Sequence, residues 1–278
     1  MKSFEEYLNI SKAINGWFDQ DAARIFYFLN NLQREEGLFG NIFEIGVHHG
    51  KSALLLGIFI DPKKHKLIVN DIFDQQELNI SNSGLGSKEI FKKNYLKFFN
   101  TDDGLQIIEK PSRELSVGDT SNSCIFFSID GGHSADETYN DLLTAKNALL
   151  NEGIIAVDDY FNAGFPGVSE GVCRFLIENE DFVPWIYCFN KLIIIKKTEV
   201  NNYKEMLVKN DFENFCKDNN YFINQMKFFE NDLMIFRKRS SLNSILFNIS
   251  NKLKKYRLFK KVAPFILKIL PFIRKIKV

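Results

Sequence analysis

The sequence predicts an α/β fold in which short apolar strands alternate with amphipathic helices. Three observations predict it: a strand–glycine–helix corner after Asn41, a strand ending on Asp71, and two later strands ending on Asp130 and on Asp158-Asp159. A chain of 278 residues with 45% hydrophobic content can bury a substantial core.

The elements follow in chain order. Asp21-Ala-Ala-Arg-Ile-Phe-Tyr-Phe-Leu-Asn-Asn-Leu reads as an amphipathic helix with an Asp cap. Gly16-Trp17-Phe18, just upstream, is placed either to close over a ligand or to pack on the sheet. Ile42, Phe43 and Ile45 form a strand that carries Glu44 and runs into Gly46, Val47, His48, His49 and Gly50. Glycines let the backbone turn tightly and approach a ligand. The helix that follows, from Ser52, offers free N–H groups to an anionic group. The spacing is G-x-x-x-G, which weakens a nicotinamide-type G-x-G-x-x-G reading. His48 and His49 are better placed for backbone or cofactor contacts than for catalysis.

Lys66-Leu-Ile-Val-Asn-Asp71 is the next strand, and an acid at its end suits ribose hydroxyls; a solvated strand-end Asp is the alternative. The long polar loop from Asp74 to Ser87 has the length of a lid. Ile107-Ile-Glu is a third strand, and Ser112 beyond it is a candidate for the adenine side of the site or an ordinary turn serine. Cys124-Ile-Phe-Phe-Ser-Ile is a buried strand with Asp130, Gly131, Gly132 and His133 at its carboxyl end, where ligands bind in open α/β sheets. A helix carrying Leu142, Leu143, Ala145, Leu149 and Leu150 is expected to stop at Asn151-Glu-Gly153. Ile154-Ile-Ala-Val leads into Asp158-Asp159-Tyr160.

Three carboxylates at the ends of two consecutive strands repel one another, and a hard divalent cation such as Mg²⁺ relieves this. Solvation or helix capping by each acid is the plainer reading. Phe161 to Val168 is the candidate acceptor loop, with Pro166-Gly167 as a turn signal. Lys191-Leu-Ile-Ile-Ile-Lys is a further strand, residues 201–220 a helical insert, and Phe222 to Arg239 a closing hairpin turning at Glu230-Asn-Asp.

Glu44-Ile-Gly-Val-His-His-Gly-Lys-Ser, Ile129-Asp-Gly-Gly-His-Ser, and Val157-Asp-Asp-Tyr with Phe165-Pro-Gly-Val resemble class I S-adenosylmethionine-dependent methyltransferases. Within that class they resemble the metal-dependent bacterial sugar O-methyltransferases that include macrocin- and aminocoumarin-modifying enzymes. The resemblance covers roughly residues 25–200. It implies a seven-stranded, mostly parallel Rossmann-like sheet, S-adenosylmethionine as donor, a divalent cation (Mg²⁺ or Mn²⁺) and a sugar or glycan acceptor. Carried over, Asp130, Asp158 and Asp159 would hold the metal. Glu44, Gly46 and Asp71 would hold the donor, with His48, Ser52, Ser112 and Asp130 as further cofactor-binding candidates. Some members carry an acid shortly after the first metal Asp where this chain has Gly132-His133, which leaves the base open. His133, with an ordinary pKa near 6.5, is the expected base and Asp130 its catalytic companion. A helix-entry histidine bonded to its loop is the alternative.

The four cysteines, Cys124, Cys173, Cys188 and Cys216, form no C-x-x-C pair, which fits reduced structural thiols of a cytoplasmic protein. Acids at Glu5 and Glu6 argue against an export signal. The domain plan is an N-terminal helical cap over 1–40, a catalytic domain over 41–239 and a basic tail over 240–278. Residues 1–232 hold 23 basic and 35 acidic side chains, whereas thirteen Lys and Arg and no acid follow Asp232. In the tail, Val262, Ile266, Ile269, Ile273 and Ile276 share one helical face, with Lys254, Lys261, Lys268 and Lys275 on a neighbouring one. That pattern describes a helix on the inner membrane surface, kinked at Pro264 and Pro271. A partner or homo-oligomer helix and packing on the acidic body are the other options. The acidic body and the lack of a recognition motif count against nucleic acid.

Overall fold

The computed structural model describes residues 2–79, 84–120 and 123–239. The tail expectation, and the middle of the expected lid, lie outside the described residues. No helix among the described residues is long and apolar enough to cross a membrane.

The chain opens with α1 (Phe4–Ser11) and α2 (Gln20–Glu35), followed by β1 (Asn41–Ile45), α3 (Lys51–Gly57) and β2 (Leu67–Asp71). Next come α4 (Lys88–Phe99), β3 (Leu105–Glu109), β4 (Cys124–Ile129), α5 (Ala135–Ala148) and β5 (Leu149–Val157). After α6 (Pro166–Glu178) come β6 (Phe182–Cys188), β7 (Lys191–Lys196), α7 (Val200–Lys209) and α8 (Phe212–Asp218). The last two elements are β8 (Tyr221–Phe228) and β9 (Asn231–Lys238).

One sheet takes the order β3-β2-β1-β4-β5-β7-β6-β9-β8. The first five strands are mutually parallel, and β7 runs antiparallel to both β5 and β6. The expected class is therefore present, with nine strands rather than seven. The two extra strands are those of the predicted hairpin: β9 pairs in parallel with β6, Ile186 opposite Met234. An apolar edge at β6 would otherwise stand unpaired, and Leu233, Met234 and Phe236 of β9 are buried.

Side chains alternate across each strand and so feed two layers. Phe43, Phe127, Ile129 and Val157 pack against Leu142 and Ala145 of α5 and Phe175 of α6; the rings of Phe43 and Phe127 stack at 4.6 Å. On the opposite face the Phe126 ring meets Phe26 of α2 at 5.2 Å.

Several local expectations need correcting. The cap of α2 is Asp19, whose carboxylate accepts from the N–H of Asp21 and Ala22. α5 ends at Ala148, not at Gly153, because Leu149 already pairs with Cys124 in the sheet. Pro166 is not in a turn but opens α6, where its missing N–H costs no helical hydrogen bond.

By internal contacts the chain divides into a large unit, Met1–Glu213 with Ile223–Phe236, and a small one, Asn214–Phe222 with Arg237–Val278. Every candidate site residue belongs to the large unit. Within the small one, the Arg239 N–H donates to the Asn220 carbonyl at 3.0 Å.

Candidate active site

Order reverses at β1/β4, the place where an open α/β sheet parts its connecting loops. Backbone hydrogen bonds lock the carboxyl tips into one row. Gly46 N–H donates to the Asn70 carbonyl (2.9 Å), Asp130 N–H to Ile45 (2.8 Å) and Asp158 N–H to Ile129 (2.9 Å). The row opens on a cavity of about 870 Å³ lined by Gly46, His48, Ser52, Asp71, Ser112, Asp130, His133, Asp158 and Asp159. All the proposed site residues except Glu44 thus face one space. Asn15, Gly16, Trp17 and Phe18 line it from the N-terminal segment, which Lys51 Nζ ties down by donating to the Gly16 carbonyl at 2.9 Å.

The glycine corner is dictated first by packing. Gly46 has φ +81°, and a Cβ there would stand 1.8 Å from the Asp130 carbonyl oxygen. At Gly50, φ +88°, it would strike the Phe91 ring at 2.6 Å. Both glycines therefore serve close contact between protein segments, whatever ligand the corner holds. His48 takes φ +51°, an uncommon backbone state for a residue with a Cβ. Asp71 fixes this loop: Oδ2 accepts from the N–H of Val47 (2.6 Å) and His48 (2.8 Å), and Oδ1 from Phe73 (2.6 Å). A carboxylate has about four acceptor sites, so these three backbone donors leave Asp71 one in reserve.

Glu44 is different. It has no solvent exposure, does not line the cavity, and neither of its carboxyl oxygens has a hydrogen-bond partner. Burial drives its pKa up to about 8, outweighing the polar neighbours Ser52 and Ser128. The period-2 alternation that buries Phe43 and Ile45 toward α5 turns Glu44 to the other face of the sheet.

At the acidic end, ligand atoms of Asp130, His133 and Asp159 all lie within 4.8 Å of one another, a group able to hold a metal ion. His133 Nε2 is 3.3 Å from Asp159 Oδ2, and its ring stacks on Phe165 at 3.9 Å. Asp159 Oδ1 accepts from the amides of Asn162 and Asn190, each at 2.8 Å. Burial raises the Asp159 pKa, but its bonds to His133 and Asn162 prevail and hold it below the usual range. Asp130 meets solvent through the cavity while protein crowds its other sides; that burial, then the Asp158 charge, raises its pKa well above normal. Asp158, expected beside Asp159 as a metal ligand, is not part of the group. Its Oδ2 is ion-paired with the buried Lys191 ammonium, and its Oδ1 accepts from the Asp159 N–H at 2.6 Å.

Two buried charged residues beside the candidate site escaped sequence reading. Lys191 was legible only as the first residue of an apolar strand. Asp141 lines the cavity from α5 with 1% exposure and an unpartnered Oδ2, and burial lifts its pKa to about 7. Its signal was present: it falls on the apolar stripe Thr138, Leu142, Ala145, where an acid is out of place.

Residues 43–160 match a family model described as a methyltransferase domain. No curated protein matches the chain. Among solved structures, the O-methyltransferase NovP is similar at 15% identity and a TM-score of 0.54, covering 63% of this chain and 79% of its own. A TDP-rhamnose 3'-O-methyltransferase of calicheamicin biosynthesis is 17% identical over 63% of this chain and 87% of its own, TM-score 0.43. An O-methyltransferase from Bacillus cereus, solved in complex with SAH, is 16% identical over 68% and 88%, TM-score 0.47. Residues 43–160 thus match the model of a methyltransferase domain, and the Rossmann-like sheet that carries them has the fold of the NovP structure.

Proposed function

We propose that this chain is an S-adenosylmethionine-dependent, divalent-metal-assisted O-methyltransferase whose acceptor is a sugar hydroxyl. The observation that carries the reading is the convergence of the glycine corner, Asp71 and the Asp130–His133–Asp159 group on a single cavity. The corner and Asp71 would hold the donor; Asp130, His133 and Asp159 would hold Mg²⁺ or Mn²⁺. The two carboxylates suit such hard ions, which are met by few protein ligands and keep sites for substrate oxygen; the imidazole is a softer donor, less suited to Mg²⁺ than to Mn²⁺. When bound, the donor supplies the methyl group and the cation lowers the pKa of the acceptor hydroxyl.

The protein's own part is positioning. Asn162 and Asn190 fix Asp159, Phe165 stacks on the His133 ring, and the row of strand tips would bring donor and acceptor side by side. In this reading His133 is a ligand rather than the base, because a ring nitrogen lies within 4.8 Å of the carboxylate oxygens of both Asp130 and Asp159. Trp17 and Phe165 line the same cavity as the amides of Asn162 and Asn190, a mixture that suits a sugar ring with its apolar face and hydroxyl edges. The sequence resemblance supports the same acceptor class and a role in surface polysaccharide or glycoconjugate assembly, with residues 240–278 as the membrane-surface contact.

Isothermal titration with S-adenosylhomocysteine tests the donor site, and absence of binding would end the methyl-transfer reading. Incubation with a panel of nucleotide sugars and S-adenosylmethionine, read by mass spectrometry, tests the acceptor. The expected product carries one added methyl on a sugar.

A further inference from the structure

We infer that the Lys191 ammonium is a built-in cation of this site. It neutralises Asp158 and thereby confines a divalent ion to Asp130, His133 and Asp159. The inference rests on the metal reading above. Because β7 runs antiparallel to β5, with Leu192 opposite Val157, its first residue arrives at the tip that presents Asp158. The Lys191 side chain is 3% exposed; it pairs with Asp158 Oδ2 and lies over the Phe18 ring at 5.4 Å, a second favourable contact for the charge. Asp158 Oδ1 is occupied by the Asp159 N–H. Both of its oxygens are thus satisfied by the chain itself, and a metal approaching Asp158 would meet an ammonium.

The next residue behaves oppositely. Asp159 takes φ +55°, and this left-handed turn sends two consecutive carboxylates to different partners: Asp158 to Lys191, Asp159 to His133, Asn162 and Asn190. A site with three acids thereby presents two to a cation. Lys191 acts through Asp158 and has no contact with the acceptor to make, so it is a positioning residue.

The test is calorimetric titration of Mn²⁺ into the full-length protein and four variants, each first checked for folding by circular dichroism. Asp159→Asn should weaken Mn²⁺ binding at least about thirtyfold; Asp158→Asn, which leaves the Lys191 ammonium uncompensated, should weaken it by no more than about tenfold. Lys191→Met should tighten it at least about tenfold, since a repelling charge leaves and a carboxylate is freed. Should Lys191→Met fail to fold, the neutral pair Lys191→Met/Asp158→Asn replaces it, with affinity within about fivefold of wild type expected. Asp158→Asn losing Mn²⁺ as completely as Asp159→Asn would overturn the inference, as would wild-type affinity in Lys191→Met or a larger change in the double variant. Binding by Lys191→Met but not by wild type would support it while removing the resident metal. Absence of Mn²⁺ binding in every protein would overturn both the inference and the metal reading, whereas failure of S-adenosylhomocysteine to bind touches the methyl-transfer reading alone.

Discussion

Glu44→Gln isolates the electrostatics beneath the cavity. Glu44 is fully buried without a hydrogen-bond partner, and burial sets its pKa at about 8 against an ordinary 4.5. A folded pKa above the unfolded one means that the native state keeps a proton the unfolded chain releases. Its stabilising effect is therefore complete below the unfolded pKa and is lost as pH rises through about 8. Each pH unit inside that window is worth about 1.4 kcal/mol, so going from about pH 5.5 to about pH 7.5 should cost the wild type about 2–3 kcal/mol through this group. Glutamine has nearly the same shape and does not titrate. Urea unfolding at the two pH values, followed by the fluorescence of the buried Trp185, should show a pH slope shallower by that amount in the variant. Asp130 and Asp141, whose pKa values are also raised, contribute equally to both proteins and cancel in the difference. Equal slopes in wild type and variant would show that Glu44 is ionised in the folded protein and would refute the reasoning.

Three other outcomes are expected. Gly46→Ala combines a left-handed backbone, roughly 1–2 kcal/mol, with a clash against the Asp130 carbonyl, and should lower stability by about 3 kcal/mol or more; an unchanged denaturation midpoint would count against it. Asp71→Ala strands the N–H groups of Val47, His48 and Phe73 and should weaken S-adenosylhomocysteine at least about tenfold by calorimetry; unaltered affinity would mean that the loop is held by other means. Stripping divalent ions with a chelator should abolish methyl transfer and added Mn²⁺ or Mg²⁺ should restore it, so full activity in the stripped protein would exclude the metal's role.

Much of the site was legible because strand ends advertise themselves. An apolar run stopping at Asp71, Asp130 or Asp158 marks a strand tip, and parallel strands bring all such tips to one edge. Glu44 stands outside the cavity lining for the same reason: proximity in sequence to the glycine corner says nothing about which face of the strand its side chain takes. Pro166 was read as a turn because proline signals an interruption, and only the fold decides whether it interrupts a chain or begins a helix. The extra strands were seen as a hairpin but not as sheet members, since β9 pairs with β6, whose residues lie 48 positions earlier in sequence (Ile186 opposite Met234).

The order of apolar runs and the residues at their ends determined the fold class, the cavity edge and the chemical character of the site, since those depend on local periodicity and on polar groups being excluded from buried strands. Only the tertiary structure decided how the acids divide. Asp158 and Asp159 are adjacent in sequence and chemically identical, and they part because one φ angle turns over and an antiparallel strand delivers Lys191 to just one of them.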